Sequence, residues 1–385
     1  MTGRPIRIVF VVTCLPVGGA EMALYRLLSK LDKGVEAHVI SLREVDEVGE
    51  MIRKLGIPVE GLGMIPGRPN PLAILKLVSR LRSIKPDLVQ TWMYHADLLG
   101  GVAAKMAIPA CPVIWSVRHN NLSPVNTRRA TIVVAKICAW LSNLLPRKVV
   151  FNSESSRTLH SNFGYAASKC GVIANGLNLR LFCPAPDARD EVRKELGIPS
   201  ETPLVGMFAR FDTIKNHEGF IKIAGLLRAK VPNCHFVMAG LNIDSDNSSL
   251  AKWIDEAQIA ESVHLLGSRR DMPRLMSAID VLAMPSWAEA FPNVVAEAMA
   301  CGVPCVVHAV GDAPHIAGDI GSVVSVGDAA AFATALEQFI QLPAEARREV
   351  ALRARARVEE FFDLRMMARR YEALYAHEVA QGNSG

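Results

Sequence analysis

The sequence predicts an α/β fold built from two doubly wound parallel sheets, and three observations carry that expectation. Through residues 6–176, short unbroken apolar runs alternate with helix-patterned stretches. The passage LNLRLFCPAPDARDEVRKELGIPSETP, residues 177–203, interrupts the alternation with prolines and charges. Past it the alternation restarts and runs to residue 326. Strands covered by helices on both faces read as continuous Val, Ile and Leu runs, and parallel strands need crossovers long enough to hold a helix. The interruption marks where one domain gives way to the next.

Taken in order, the first run, RIVFVVTC, follows Arg4 and Arg7 and has the outline of a short signal peptide. It leads into PVGGAE and the amphipathic EMALYRLLSKL, as a first buried strand leads into its helix, so it is read as a strand. EAHVISL, IPVEGL, PDLVQTW, PVIWSV, KVVFNS and CGVIANG supply the next strands, which places a first Rossmann-like domain over residues 1–180. LVGMFAR, HFVMAG, VHLLG, VLAMP, PCVVHA and GSVVSV place a second over residues 190–364. From AEARREV onward the chain is helical and strongly charged.

At 385 residues, 50% hydrophobic and 21% charged, the chain can bury two large cores and has no disordered character. Its eight cysteines form no CxxC pair and are read as buried thiols, neither a disulfide framework nor a zinc site. No run reaches the roughly 18 apolar residues of a spanning helix. Residues 1–180 hold 23 Lys and Arg against 11 Asp and Glu, a net +12, whereas the remainder holds 20 against 27, a net −7. A basic front half suits an anionic partner, nucleic acid or an acidic lipid surface. Nucleic acid is disfavoured, because aromatic–basic interleaving and helix-turn-helix spacing are both missing. NTRRATIVVAKICAWLSNLLPRK, residues 126–148, has cations at both ends and Trp140, as an interfacial helix would. Its periodicity favours a core helix with exposed ends.

In open α/β sheets, ligands bind beyond the carboxyl ends of the strands, and the chemically interesting residues cluster there. Gly18 and Gly19 follow the first strand, where small residues let backbone amides and a helix amino end approach a ligand. The motif is neither GxGxxG nor a Walker loop. Arg210 and Lys215, in ARFDTIKN, suit a diphosphate, and Asn216 is positioned to cap the next helix. EAFPNVVAE places Glu289 and Glu297 on either side of an uncharged stretch. A capping box from Ser286 to Glu289 would put Pro292 inside a helix, so the helix is expected to start near Pro292, with Glu289 in the preceding loop. The amides near Phe291, Asn293 and Val294 then face an anion, and the two carboxylates suit hydroxyls, one on a ribose and one on a hexose. His95 and His119 follow front-half strands, with Asp97 and Arg118 in the same loops.

These passages, with NSES, VIANG and EAMACGVPCVV, resemble the retaining glycosyltransferases of family 4, over about residues 6–375. The resemblance implies the GT-B fold: two Rossmann-like domains facing a central cleft, with a C-terminal helix, about 365–385, returning to the first. It implies that Gly18 and Gly19 face the donor diphosphate and that Arg210 and Lys215 hold it. Glu289 would bind the transferred sugar, Glu297 the ribose, and the backbone of Phe291, Pro292, Asn293 and Val294 the sugar and phosphate. Ser268 and Arg269 would cover the base through the main chain. His95 would lie near the reacting carbon, and Arg118 and His119 would meet the acceptor. No metal or other cofactor is implied, and NIDSDNS, with Asp244 and Asp246, reads as a polar loop. Ala290 stands where the family usually has glycine, and His308 and Ala309 where it has Thr-Asp. The expected activity is hexose transfer from a UDP-sugar, ahead of a GDP-sugar, to a glycan or lipid-linked acceptor. Surface polysaccharide assembly, lipopolysaccharide or capsule, is the expected setting, in the cytoplasm or peripherally at an anionic membrane surface. The competing readings are a silent GT-B partner subunit and a nucleotide-sugar epimerase of the same fold.

Overall fold

The computed structural model describes residues 4–65, 70–122 and 127–382. The chain forms two compact units. One runs to Gly176 and takes in the C-terminal segment from Leu364; the other is Leu177–Asp363.

The first unit contains β1 (Ile6–Val12), α1 (Gly19–Leu28), β2 (Val35–Ser41), α2 (Glu47–Arg53), β3 (Val59–Gly61), α3 (Pro71–Ile84) and β4 (Leu88–Trp92). It continues with α4 (Tyr94–Ala107), β5 (Val113–Val117), α5 (Arg129–Leu141), β6 (Lys148–Phe151), α6 (Glu154–Phe163) and β7 (Cys170–Val172). Its seven strands are parallel, in the order β3-β2-β1-β4-β5-β6-β7. Alternation along β1 divides the core: Val9 and Val11 join one apolar cluster, and Ile8, Phe10 and Val12 the other.

The second unit contains α7 (Pro186–Glu195), β8 (Leu204–Phe208), α8 (His217–Lys230), β9 (His235–Ala239), α9 (Ser248–Glu256), β10 (Val263–Leu265), α10 (Met272–Ala278) and β11 (Val281–Met284). It continues with α11 (Asn293–Ala300), β12 (Cys305–His308), α12 (Ala313–Ala317), β13 (Ser322–Val324), α13 (Ala329–Ile340) and α14 (Ala344–Phe361). Its six strands are parallel, in the order β10-β9-β8-β11-β12-β13. In each sheet the winding reverses once, between β1 and β4 and between β8 and β11, and such switch points are where open α/β sheets bind ligands.

The last helix, α15 (Leu364–Gly382), belongs to the first unit, where Tyr371 and Tyr375 are wholly buried beside Phe10. All thirteen strands read from the sequence are present. The domain boundary differs: the units part at Gly176/Leu177, and residues 177–203 are part of the second unit rather than a connector before it. The reason is a charge pair that composition does not reveal. Arg193 of α7 is 1% exposed, lies 2.8 Å from Asp280, and donates to the carbonyls of Ala278, Ser200 and Thr202. A buried guanidinium satisfied on all sides locks the proline-rich passage onto the unit. All eight cysteines are free, and no helix among the described residues is long and apolar enough to cross a membrane.

Candidate active site

In the second unit the charged loops gather at the β8–β11 switch point. Beyond β8 the chain runs close to the turn after β9: Gly240 has φ +156, and a Cβ there would lie 2.0 Å from the Ala209 carbonyl oxygen. This backbone fit delivers Arg210, whose side chain is 61% exposed and is steadied by Asp212 at 2.7 Å. Asn216, in the left-handed region, accepts from the Gly219 amide at 3.1 Å, which caps α8. Its amide nitrogen donates to the Pro285 carbonyl at 2.9 Å, tying the loop after β8 to the end of β11.

The two residues assigned from sequence to different ends of a donor meet each other here. Lys215 Nζ lies 2.6 Å from Glu289 Oε1, and the same oxygen accepts from Ser286 Oγ at 2.8 Å. The Trp287 amide donates to the Ile214 carbonyl at 2.8 Å, which holds both loops in register. The helix α11 begins at Asn293, one residue after Pro292, so Glu289 sits in the loop and Ser286 caps no helix. Proline's missing N–H is tolerated at a helix start and nowhere deeper.

The loop before α12 presses on Glu289 from behind. Gly311 has φ +55, and a Cβ there would come 2.2 Å from the Glu289 carbonyl oxygen. The Asp312 amide donates to the Ala290 carbonyl at 2.9 Å. Phe291 turns inward, edge-on to Phe362 with ring centres 5.4 Å apart. Asn293, Val294 and Glu297 are half-buried along the first turns of α11. Ser268 is exposed after β10, while Arg269 is held by Asp271 at 2.8 Å and Glu195 at 2.6 Å. The Arg269 side chain therefore braces its loop. His308, unremarkable in the sequence beyond its departure from the family pattern, is 1% exposed and donates from Nδ1 to the Ser286 carbonyl at 3.2 Å. Burial lowers its pKa, and the neutral ring props the loop that carries Ser286 and Glu289.

In the first unit, Gly18 precedes α1 in extended backbone and Gly19 opens the helix, and a Cβ at Gly18 would lie 2.4 Å from Glu21 Oε2. Sequence reasoning passed over Glu21. Burial raises its pKa, which favours the neutral form at a helix start suited to anions. The β1–β4 junction is fixed by Trp92, whose indole donates to the Ala20 carbonyl at 2.9 Å. Met93 follows with φ 76, a strained value for a side-chain-bearing residue, and sets His95 in the first turn of α4. His95 is half-buried, and burial lowers its pKa.

Arg118, expected to meet the acceptor, is engaged within the first unit. It is 8% exposed, lies over the Trp92 ring at 4.1 Å, and donates to Asn175 and to Tyr371 Oη. Its work is to fasten α15 to the ends of β4 and β5. His119 is half-buried and donates toward Thr127 Oγ1 at 3.4 Å. A hydrogen-bonded clip joins the two histidine loops. Ser156 Oγ donates to the His119 carbonyl at 2.7 Å. His160 Nδ1 donates to the Ser156 carbonyl at 2.7 Å, and its Nε2 accepts from Tyr94 Oη at 2.6 Å. Burial holds the His160 pKa down at about 4, so the neutral tautomer that makes both bonds persists. Asp97 is wholly buried, and burial raises its pKa to about 7 against the Thr91 hydroxyl at 2.5 Å.

Two doubly wound sheets in one chain, with the cations and the paired carboxylate collected at a switch point, describe a GT-B enzyme that uses a nucleotide-sugar. Comparison with known proteins makes the assignment specific. The family described as glycosyl transferases group 1 matches residues 188–357, and glycosyltransferase family 4 matches residues 17–181. The chain belongs to these family 4, group 1 glycosyltransferases. It is 27% identical to EpsF of Bacillus subtilis (strain 168), over 80% of each chain. It is 24% identical to the UDP-Gal:alpha-D-GlcNAc-diphosphoundecaprenol alpha-1,3-galactosyltransferase of Escherichia coli, over 68% of this chain and 67% of that one. It superposes on Anabaena HepE in complex with UDP-glucose with a TM-score of 0.82 and 25% identity, over 96% of this chain and 100% of that one.

Proposed function

We propose that the protein is a retaining, metal-independent hexosyltransferase that takes a UDP-sugar, in preference to a GDP-sugar, and glycosylates a glycan or lipid-linked acceptor. The observation that carries this reading is the Arg210, Lys215 and Glu289 cluster beyond β8 and β11. Its cations match a diphosphate, and its carboxylate matches sugar hydroxyls. The UDP-glucose bound by HepE and the UDP-galactose named for the Escherichia coli relative support the choice of nucleotide.

In the proposed reaction the acceptor hydroxyl attacks the anomeric carbon on the face from which the diphosphate leaves. The bond from that carbon to the phosphate oxygen breaks as the new glycosidic bond forms, and the hydroxyl proton passes to the departing phosphate. Arg210 and Lys215 neutralise the charge that develops on the leaving group. Lys215 exchanges Glu289 for a phosphate oxygen when donor binds, which frees Glu289 for the sugar. Glu297 takes the ribose, the backbone around Phe291, Pro292, Asn293 and Val294 the sugar and phosphate, and the Ser268–Arg269 main chain the base. In the first unit, Gly18 and Gly19 offer amides to the diphosphate, His95 as a neutral imidazole contacts the sugar, and His119 meets the acceptor.

The acceptor is proposed to be presented at an anionic membrane surface on the cytoplasmic side, during surface polysaccharide assembly. The net +12 of residues 1–180 and the diphosphoundecaprenol acceptor named for the relative support this. Calorimetry of UDP and GDP with a chelator present tests the donor half. UDP binding that weakens at least about tenfold in Glu297→Ala is expected for a charged hydrogen-bond partner. Binding of neither nucleotide would leave the silent-partner reading in its place.

A further inference from the structure

The helix α5 is apolar on two faces, one packed on the core and one open to solvent. Its buried residues are the small Ala135, Cys138 and Ala139. Val134 and Leu141 pack half-buried against the same core. A second set of large apolar residues points outward: Val133 is 55% exposed, Ile137 39% and Trp140 73%, and Leu144 in the turn beyond is 70% exposed. They recur at steps of four, three and four residues, so they form one stripe along the helix. Arg128, Arg129 and Lys136 are exposed beside them, and residues 126–148 contain no Asp or Glu. The sequence favoured a core helix with exposed ends. The inner face of α5 is core, as that reading expects, but exposure is not confined to the ends: a separate apolar stripe runs open to solvent along the outer face.

We propose that this face is a docking surface for an anionic lipid membrane. An apolar stripe with a central Trp and flanking cations suits the boundary between acyl chains and acidic headgroups. A second copy of the chain fits less well, because pairing this face with itself would set three cations against three with no carboxylate to meet them. The stripe also continues toward the chemistry. Thr127, immediately before Arg128, accepts from His119 and donates to the Asn121 carbonyl at 2.6 Å, so the entry to α5 and the loop after β5 are one hydrogen-bonded piece. A membrane on α5 therefore lies next to the loop proposed to meet the acceptor. This deepens the proposed reading of a lipid-linked acceptor, although the docking surface itself rests on α5 alone.

The test is flotation of the full chain with vesicles of phosphatidylcholine, with and without phosphatidylglycerol, at low and high salt. UDP calorimetry is run alongside on every variant. Wild type is expected to float with the anionic vesicles and to be released by salt. Ile137→Ser with Trp140→Ser should lower partitioning roughly tenfold or more, because the stripe supplies the insertion. Arg128→Ser, Arg129→Ser and Lys136→Ser together should lower it and flatten its salt dependence, and all variants should bind UDP as wild type does. Equal flotation with both vesicles, or variants that float like wild type, would overturn the proposal. So would self-association without lipid that Trp140→Ser abolishes. Loss of UDP binding by wild type would instead count against the donor reading and leave the vesicle result standing.

Discussion

Lys215 and Glu289 lie 74 positions apart, and their pairing at 2.6 Å is the contact at the centre of the proposed donor site. The two side chains are 22% and 10% exposed, so each needs the other to offset its lost hydration. Lys215→Met is expected to lower stability by roughly 1–3 kcal/mol and turnover by about a hundredfold or more, since it leaves Glu289 without its cation and removes a positive charge from the proposed leaving-group site. Urea denaturation and steady-state transfer rates check the two halves separately. Asp97 gives a pH-dependent prediction. Its folded pKa, about 7, lies above its ordinary value, so the native state holds more protons than the unfolded chain between about pH 4 and 7. Its favourable contribution is complete below about pH 4 and is lost as pH rises through 7. Asp97→Asn keeps an oxygen for the Thr91 hydroxyl and removes the titration. The variant should gain roughly 1–3 kcal/mol over wild type at pH 8 and almost nothing at pH 4, read from unfolding curves at the two pH values. The residue types at the site were legible because cations, glycines and bracketing carboxylates stand just past strands. The mutual pairing of Lys215 and Glu289 was not, because it is a contact between loops from two different strands. The tie of Arg118 to α15 was hidden for the same reason: its Tyr371 partner is 253 positions away.

At the scale of elements, α6 is the part that organises the first unit's loops. Ser153 caps it by accepting from the Ser156 amide at 3.1 Å, and Ser156 and His160, one turn apart, reach His119 and Tyr94. Tyr94→Phe leaves the His160 Nε2 without its donor in a fully buried place, at an expected cost of about 1–2 kcal/mol. The same variant should raise the KM for acceptor and leave UDP affinity unchanged, a split that a purely global destabilisation would not produce. The strands were the most legible elements of this chain. A strand covered on both faces leaves an apolar run, as in β1, β8 and β11, and even the more polar edge segments kept the rhythm that marked all thirteen strands. The orientation of α5 was not legible. Ala135, Cys138 and Ala139 recur with the same period as Val133, Ile137 and Trp140, and periodicity alone does not say which stripe faces the sheet. Tertiary contact decides it: Cys138 settles against the start of the neighbouring α4, where its Sγ donates to the Tyr94 carbonyl at 3.5 Å.

At the scale of the whole molecule, the chain closes its first unit with its last helix. Until α15 is in place, one face of the first sheet lacks Tyr371 and Tyr375, both fully buried, along with Met367, which accepts from the Gly176 amide. The second unit has its own core, built on Val205, Met207, Phe220 and Phe236, and includes none of these residues. A lesion in α15 should therefore fall on one unit. Tyr375→Ala removes a wholly buried ring and the hydroxyl that bonds Gln90, and is expected to cost roughly 3–5 kcal/mol. Scanning calorimetry should show the variant's first-unit transition moved down in temperature while that of the second unit stays in place. UDP affinity, assigned to residues of the second unit, should be unaffected at temperatures below the lowered transition. A single transition that shifts as a whole, with UDP affinity falling in step, would instead mean that the units fold as one cooperative body. In that case the sequence-distant closure by α15 would stabilise the donor site as well as the acceptor side.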